Sequence, residues 1–473
     1  MSIVTRDEAV AFLDARIGHG VKPGLERMTG LLEFMGNPQL AFSIIHVAGT
    51  NGKTTVTRLV TDILGAHGYR MGAFTSPHLH RVEERVSIDG EPLIGDAFFA
   101  AVADIAWFVE EYERRSGSGV TYFELTAALA LSAFVAAAID VAVLEVGLGG
   151  RLDATNVVVS DVAVVTGIAK DHVEYLGETI AEIAAEKAAI IDPDGTVVTG
   201  PLPPAAEGAV TARVAETGAR WFRSGADFVV AAETMAVGGW VTDIEGVYAH
   251  YPDLYLPLHG QHQVTNLATA IAACEVFLEH ALDEDALRTA VSATAQPGRI
   301  EVVGRGPLVI VDGAHNEQGV EGLAEALVSE FRDDAYQLVI GLRGPRSAAE
   351  ILMPMQGLVA HIWACAPDDP AARDPATVAA EAVSVLGGEA TVIEAVPDAL
   401  VAAIEAAGPQ GAVVVTGSVY VAGEARAAVV GTDFVPSGVH VRYESQIDPE
   451  IDPEIDPEID PEIDPEIDPE IGE

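Results

Sequence analysis

Apolar runs of strand length alternate with helix-length amphipathic segments along most of the chain. The run at residues 140–146 is apolar except for Asp140 and Glu145, and its continuous apolar part is typical of a strand buried on both faces. Strands separated by helix-length segments favour parallel pairing through right-handed crossovers. The pattern therefore predicts an α/β fold, with early strands at residues 44–47, 71–74, 140–146 and 162–166.

A second α/β alternation begins after residues 297–299 (Pro-Gly-Arg), which we interpret as a hinge. Between the two alternations, residues 195–258 predict shorter strands and turns that form an antiparallel patch. We therefore expect two α/β domains, residues 1–297 and 298–430, with a cleft between them. The second alternation predicts strands at residues 308–311, 337–340 and 412–416 and a helix at residues 318–331.

The most informative stretch is residues 44–56, IIHVAGTNGKTTV, in which a strand runs through a glycine-rich turn into a helix. Backbone N–H groups of such a turn, the positive end of the helix and the lysine suit phosphate oxygens. The hydroxyl beside the lysine can face a magnesium ion. Val47 stands where GxxxxGK[ST] has its first glycine, so an ordinary strand–helix turn is the alternative.

Three further polar side chains follow predicted strand ends: Ser76, Glu145 and His172. Carboxyl ends of parallel strands meet at one edge of a sheet, where ligands bind. A hydroxyl, a carboxylate and an imidazole there suit Mg²⁺, which prefers oxygen and keeps several waters. Taken singly, each has a structural alternative, such as a helix-capping glutamate or a packed histidine.

The formal net charge of −46 makes nucleic acid and anionic membrane poor partners for most of the surface. ATP would need a local positive site plus metal, which the glycine-rich turn can provide. Of 26 basic residues only four are lysines, and two of these are Lys53 in the turn and Lys187 in a predicted helix. A retained lysine can mark a position where arginine will not serve, although for Lys22 and Lys170 chance explains the position equally well.

Cys274 and Cys365 lie far apart without metal-ligand spacing, which favours a reducing compartment. The N-terminal residues predict an amphipathic helix rather than a signal peptide. The longest apolar run, residues 125–139, is too short to span a bilayer. We expect a soluble, cytoplasmic protein.

From Ile447 the sequence IDPE occurs six times in succession. Proline at every fourth position excludes regular helix, and the paired carboxylates repel one another. We predict that residues 431–473 form a disordered acidic tail. Residues 1–446 still carry −33, which fits either adaptation to a salty cytoplasm or drift of an acidic surface.

Ten segments, in order and spanning about residues 5 to 428, resemble the folylpolyglutamate synthases and dihydrofolate synthases of the Mur ligase superfamily. They are GLERMTGLLEFMGNPQ, HVAGTNGKTT, SPHLHRVEERVSIDG, TYFELTAALAL, VLEVGLGGRLDATN, DHVEYLGETIAEIAAEKA, GQHQVTNLATA, PGRIEVV, VDGAHNEQG and TGSVYVAGEAR. The resemblance implies a P-loop ATPase domain with a parallel sheet and a smaller Rossmann-like C-terminal domain.

The resemblance also implies cofactors and site residues. ATP and two magnesium ions are expected, with a monovalent cation as a further candidate. The implied ATP contacts are Thr50, Asn51, Gly52, Lys53, Thr54, Thr55, Asn266, Arg299 and Asp312. The implied metal ligands are Thr54, Ser76, Glu145 and His172, and the implied catalytic residues are Lys53, Glu145, His172 and Lys187, the last one carbamylated. The implied pteridine contacts are Gly24, Leu25, Glu26, Thr121, Phe123, Glu124, Leu152, Asp153 and Ala154.

The implied reaction adds L-glutamate to dihydropteroate, to folates, or to both. ATP phosphorylates a substrate carboxylate, and the glutamate amine then displaces phosphate from the acyl phosphate. A Mur-type ligase for another acid or amine is the first alternative, and a non-catalytic ATP-binding protein is the second. The expected partners are small molecules, with neither nucleic acid nor membrane, and we expect a monomer.

Two segments and one residue depart from the family pattern. The residue is Lys170, which stands where a small or apolar residue is common before Asp-His. The folate enzymes usually have GTNGKG, whereas this chain has GTNGKTT, which is closer to the peptidoglycan-building Mur ligases. Their second-domain loop usually carries Asp-Lys-Asp, but residues 341–347 here are GLRGPRS. The departure in this loop concerns the half of the site that would take the amino acid.

Overall fold

The computed structural model describes residues 3–20, 22–331 and 335–432. These described residues belong to one compact unit. The IDPE repeats, for which the sequence predicts disorder, lie outside the described residues. Within the described part, no helix is long and apolar enough to cross a lipid bilayer.

The first sheet contains eight strands among the described residues. They are β1 (Ser43–Ala48), β2 (Met71–Phe74), β3 (Val86–Ile88), β4 (Glu91–Pro92), β5 (Val141–Glu145), β6 (Val162–Val165), β7 (Thr196–Thr199) and β8 (Arg220–Arg223). Their spatial order is β4-β3-β2-β5-β1-β6-β7-β8, and the strands from β2 to β8 in this order pair in parallel. The predicted parallel sheet is confirmed. Its central strands β2, β5, β1 and β6 are the ones that precede the candidate site residues.

Helices cover both faces of this sheet. They are α1 (Arg6–Asp14), α2 (Glu26–Phe34), α3 (Lys53–Ala66), α4 (Gly95–Ser116), α5 (Tyr122–Ala137), α6 (Val173–Leu176), α7 (Ile180–Ala188), α8 (Pro204–Thr217), α9 (His262–Leu278) and α10 (Glu284–Ala293). Ile45 and Val47 on β1 belong to the core formed with α3 and α9, whereas Ile44 belongs to the core formed with α4 and α5. This alternation follows from the two-residue period of a strand and explains why β1 is apolar throughout.

Residues 195–258 differ from the sequence prediction. Residues 196–223 contain two parallel strands of the main sheet, β7 and β8, with the 14-residue helix α8 between them. Pro203 is the N-cap of α8 and Pro204 its first residue, positions where proline is tolerated because no helical N–H is needed. The predicted antiparallel patch is confirmed only for β9 (Val229–Ala236), β10 (Gly239–Glu245) and β11 (His250–Leu256).

The second sheet has the order β12-β13-β17-β14-β15-β16. Its strands are β12 (Glu301–Arg305), β13 (Leu308–Val311), β14 (Tyr336–Ile340), β15 (Val359–Ala366), β16 (Ala390–Ala395) and β17 (Ala412–Thr416). Its helices are α11 (Glu317–Ala326), α12 (Ala348–Ile351), α13 (Pro375–Leu386), α14 (Val396–Ala407) and α15 (Val419–Val430). Apart from the antiparallel edge strand β12, the pairs are parallel, as the second alternation predicts.

Short 3₁₀ segments and one π-helical turn complete the described structure. The 3₁₀ segments are Ile17–His19, Pro38–Leu40, Val82–Arg85, Ala154–Val157 and Met353–Met355, and the π-helical turn is Leu327–Phe331.

Candidate active site

The glycine-rich turn between β1 and α3 forms the floor of the site. Gly52 is the N-cap of α3 with φ +84°, a left-handed conformation that glycine adopts without strain. The Lys53 ammonium donates to the carbonyl oxygens of Gly49 (3.0 Å) and Thr50 (3.1 Å), so it lies folded over the turn. The positive end of a 14-residue helix and an ammonium group therefore meet at one place, which suits an anion.

Glu145 closes the end of β5 beside this turn and is 1% exposed. Its carboxylate accepts hydrogen bonds from the Thr54 hydroxyl (3.0 and 3.2 Å) and from the Ser76 backbone N–H (3.3 Å). Burial raises the pKa of Glu145, and the nearby charge of Lys53 opposes that shift. Both hydrogen-bond donors are uncharged, so a cation at this carboxylate would offset the cost of its burial.

Lys187 projects from α7 toward the same turn and is 4% exposed. Its ammonium donates to the Gly49 carbonyl oxygen at 2.8 Å. Burial, with a smaller contribution from Lys53, lowers the pKa of Lys187 to about 7. This amine is therefore substantially neutral near neutral pH, unlike a lysine in water.

Residues of the second sheet's domain reach the turn across the cleft. The Asn51 amide donates to Asn316 Oδ1 (3.1 Å) and to Gln318 Oε1 (2.8 Å), and Asn316 also donates to Asp171 (3.1 Å). Asn316 is the N-cap of α11, so its position is set by the start of that helix.

Asp312 directly follows β13 and is 6% exposed. It accepts from the backbone N–H groups of Ile300 (2.9 Å) and Ala314 (2.7 Å). Burial raises the pKa of Asp312, whereas the Arg299 guanidinium lowers it. The two second-domain residues expected to contact ATP are thus electrostatically coupled to each other.

His172 follows β6 and has φ +49°, an unusual conformation for a residue with a side chain. Its Nε2 lies 3.2 Å from an Nη2 atom of Arg346, which also donates to Asp171. Burial lowers the pKa of His172. A neutral ring has one nitrogen free to accept a hydrogen bond or bind a metal.

One cavity collects every residue to which the sequence assigned nucleotide, metal or catalytic roles. Its lining includes Thr50, Asn51, Gly52, Lys53, Thr54, Thr55, Ser76, Glu145, His172, Lys187, Asn266, Arg299 and Asp312. These residues come from the ends of β1, β2, β5 and β6, from α7 and α9, and from the second domain. Their shared lining shows proximity, while the individual roles stay predictions.

The donor set fits a hard divalent cation better than a soft one. Thr54, Ser76 and Glu145 supply oxygen, and His172 supplies one nitrogen. Across residues 3–20, 22–331 and 335–432, no three His, Cys, Asp or Glu side chains gather into a metal-binding cluster. A metal here would take hydroxyl and water oxygens in addition to Glu145 and His172, and nucleotide oxygens when a nucleotide is bound, which is typical of Mg²⁺.

The residues expected to hold a pteridine form a separate group that does not line this cavity. Thr121 caps α5, and Glu124 on its first turn is 3% exposed and forms an ion pair with Arg27 (2.9 Å) at the start of α2. Asp153 is also buried, and it accepts from the N–H groups of Gly147 and Leu148 (3.0 and 2.8 Å). Gly147 and Leu148 do line the cavity described above, so Asp153 connects the two groups.

The remaining members of this group show less structural constraint. Gly24 and Leu25 are half-buried, Glu26 and Leu152 are exposed, and Ala154 is buried. Phe123 packs on Phe74 with ring centroids 5.6 Å apart. Their pteridine role stays a prediction.

Sequence reasoning did not assign roles to Asp171, Asn316, Gln318 or Arg346. Asn316 and Gln318 lie in the segment VDGAHNEQG, so their motif was visible without their contacts. Arg346 carried no positive signal, because it lies in the loop where the family pattern is altered.

Comparison with known proteins was consistent along the chain. Residues 47–274 match the Mur ligase middle domain, and residues 298–419 match the Mur ligase glutamate ligase domain. A Mycobacterium tuberculosis protein named dihydrofolate synthase/folylpolyglutamate synthase is 37% identical over 437 residues, covering 86% of this chain and 90% of the relative.

Two solved structures are also similar. The M. tuberculosis folylpolyglutamate synthase complexed with ADP and AMPPCP has a TM-score of 0.85 and 37% identity, covering 90% of this chain and 99% of that one. The Escherichia coli FolC in complex with DHPP and ADP has a TM-score of 0.78 and 31% identity, covering 88% and 95%.

The parallel sheet with its glycine-rich turn, the second α/β domain and the cavity that both line define a two-domain nucleotide-binding protein with the Mur ligase architecture. The chain belongs to the folylpolyglutamate synthase/dihydrofolate synthase family. The resemblance found in the sequence is thereby confirmed.

Proposed function

We propose that this protein is an ATP-dependent ligase that joins L-glutamate to the carboxylate of dihydropteroate, of a folate, or of both. The observation that carries the proposal is the single cavity in which the phosphate-binding turn, Glu145, Lys187 and second-domain side chains meet. The names of the similar proteins support this reaction. The assignment of the site residues is our own.

The first step transfers the γ-phosphoryl group of ATP to the substrate carboxylate. The bond from phosphorus to the ADP oxygen breaks, and a bond from phosphorus to a carboxylate oxygen forms, giving an acyl phosphate and ADP. Lys53 lies over the turn at the positive end of α3, so it can neutralise charge on the transferring group.

In the second step the glutamate amine attacks the acyl carbon, the carbon–oxygen bond to phosphate breaks, and the amine loses a proton. Water would compete with the amine for the acyl phosphate. The contacts from Asn51 to Asn316 and Gln318 support a cleft that closes over the turn and excludes water.

Thr54, Ser76, Glu145 and His172 would hold magnesium, which supplies positive charge to the phosphoryl oxygens. Glu145 suits this role because it is a buried carboxylate with only neutral hydrogen-bond donors identified around it. Lys187 would support the site as a carbamate, because a neutral amine can add CO₂ and become a carboxylate. The lowered pKa of Lys187 supports that chemistry.

The pteridine would lie beside the starts of α2 and α5, where Arg27 and Glu124 pair. The division into domains at residue 297 is likewise part of this proposal. A cytoplasmic monomer without nucleic-acid or membrane partners stays a prediction.

Phosphate release tests the proposal. Purified protein is assayed with ATP, Mg²⁺ and L-glutamate, with dihydropteroate and tetrahydrofolate supplied separately. We expect release only when all components are present, and mass spectrometry should detect a product with one added glutamyl residue. Release with both acids means a bifunctional enzyme, and release with one assigns the substrate.

Folded protein that releases phosphate with neither acid, at low and at high salt, would contradict the proposal. In that case a Mur-type ligase acting on another acid becomes the better assignment. ATP binding without turnover on any acid would favour a protein that has kept the fold and lost the chemistry.

A further inference from the structure

Arg346 brings a positive charge from the second domain to the edge of the first sheet. It lies in the loop between β14 and α12, and its Nη2 donates to an Asp171 carboxylate oxygen and contacts His172 Nε2 at 3.2 Å. The Asp171 side chain is 8% exposed and that of Arg346 is 25% exposed. This ion pair is therefore largely shielded from water, unlike a typical surface pair.

Arg373 and Glu381, both in the second domain, fix the loop that carries Arg346. Arg373 donates to the Arg346 carbonyl oxygen (2.5 Å) and forms a two-pronged ion pair with Glu381 (2.8 Å for each contact). Glu381 in turn accepts from the Ala348 N–H at 2.8 Å, at the start of α12. The backbone position of Arg346 is thus set by its own domain and does not depend on the contact with His172.

The partners of Arg346 are also held independently. Asp171 accepts from the Asn316 amide (3.1 Å) and from the backbone N–H of His172 (2.8 Å). His172 has a left-handed backbone with φ +49°, a conformation that residues with a side chain rarely adopt. The ring nitrogen that faces Arg346 therefore belongs to a residue whose direction is constrained by the surrounding fold.

Nε2 of a neutral histidine has one lone pair, which can accept a hydrogen bond or bind a metal but cannot do both. A guanidinium beside a divalent cation would also repel it. We propose that Arg346 is a positioning residue that competes with a divalent cation for His172, so that metal binding at His172 releases this contact between the domains. The inference rests on the metal role proposed above for His172.

Metal affinity tests the competition directly. Mn²⁺ binding to the nucleotide-free, full-length protein is measured by electron paramagnetic resonance of the free ion. We expect Arg346→Gln to bind Mn²⁺ about tenfold more tightly than the unchanged protein, which corresponds to ~1.4 kcal/mol. The double variant with His172→Ala should lose this gain, because the contested atom is then missing.

Arg343 provides a matched control in the same loop. Its guanidinium pairs with Asp369 (2.8 Å) and lies 4.0 Å from the Tyr420 ring centroid. Arg343→Gln removes the same charge from the loop without touching the His172 contact, so its Mn²⁺ affinity should stay unchanged. An equal gain in both variants would show a general charge effect and overturn the competition.

His172→Ala in the otherwise unchanged protein separates this inference from the proposed function. Unchanged Mn²⁺ affinity in that variant would refute the metal role of His172, and the competition with it. Weaker binding in that variant, together with no gain in Arg346→Gln, would refute the competition alone. Circular dichroism establishes that each variant is folded, and Arg346→Met replaces Arg346→Gln if the latter does not fold.

Discussion

Lys187 allows a quantitative prediction about both stability and turnover. Its side chain is buried, and its pKa falls from 10.5 to about 7. At pH 7.5 an ordinary lysine would be about 0.1% neutral, whereas a lysine with a pKa near 7 is roughly three-quarters neutral. Because CO₂ adds to the neutral amine, burial increases the reactive fraction several hundred-fold.

The perturbation is Lys187→Met, which removes the charge and keeps an unbranched side chain that is one atom shorter. The folded-state pKa lies below the unfolded one, so the unfolded chain binds a proton more readily between about pH 7 and pH 10.5. The resulting destabilisation is fully present below pH 7 and disappears as the pH rises to 10.5. At 1.36 kcal/mol per pKa unit it amounts to ~4 kcal/mol at pH 7 and ~2 kcal/mol at pH 9.

Urea denaturation in CO₂-depleted buffer measures this difference. The free energy of unfolding of Lys187→Met minus that of the unchanged protein should fall by about 2 kcal/mol between pH 7 and pH 9. Other titrating groups cancel in this comparison, because both proteins contain them. A difference that does not change with pH would refute the lowered pKa.

Replacing Lys187 should lower turnover, although it raises the free energy of unfolding. Lys187→Met and Lys187→Arg should both lose ATP-dependent phosphate release, since neither side chain can form a carbamate. Lys170 is exposed, so Lys170→Ala is the control and should retain turnover. With ¹³C-labelled bicarbonate, a carbamate carbon signal is expected in the unchanged protein and not in Lys187→Arg. Full turnover of Lys187→Ala would refute the carbamate role.

Three further predictions concern the turn, its carboxylate and the tail. Glu145→Gln keeps an oxygen acceptor for Thr54 but removes the charge, so turnover should fall about 10²–10³-fold while the thermal midpoint is kept or raised. Unchanged Mn²⁺ affinity in this variant would contradict a metal role for Glu145. In Gly52→Ala the new Cβ would lie 2.4 Å from Asn266 Oδ1 at a φ of +84°, so the KM for ATP should rise at least about tenfold. The control is Gly208→Ala on α8, which has open space around it and should not change the KM for ATP. Deletion of residues 447–473 should leave phosphate release intact, and a large loss would show that the tail takes part in turnover.

The amino-acid sequence by itself determined the elements whose causes are local. The apolar run of β1, the left-handed turn at Gly52 and the start of α3 follow one another within a dozen residues, so their order alone predicts a phosphate site. Ser76, Glu145 and His172 then lie at one edge of the sheet, because the carboxyl ends of parallel strands share that edge. The scarcity of lysine singled out Lys187, although its depressed pKa required a structure.

Tertiary structure alone decided which side chains meet across the cleft. Asn51 and Asn316 are 265 residues apart, and Asp171 and Arg346 are 175 apart, so no local pattern encodes either contact. Helix α8 was predicted as short strands and turns. The prolines at its start do not separate the two, because proline is favoured both at a helix start and in a turn. Propensity and periodicity depend on a residue's neighbours in the chain. The partner of Arg346 depends instead on how the two sheets and their domains pack against each other, which is a property of the three-dimensional structure.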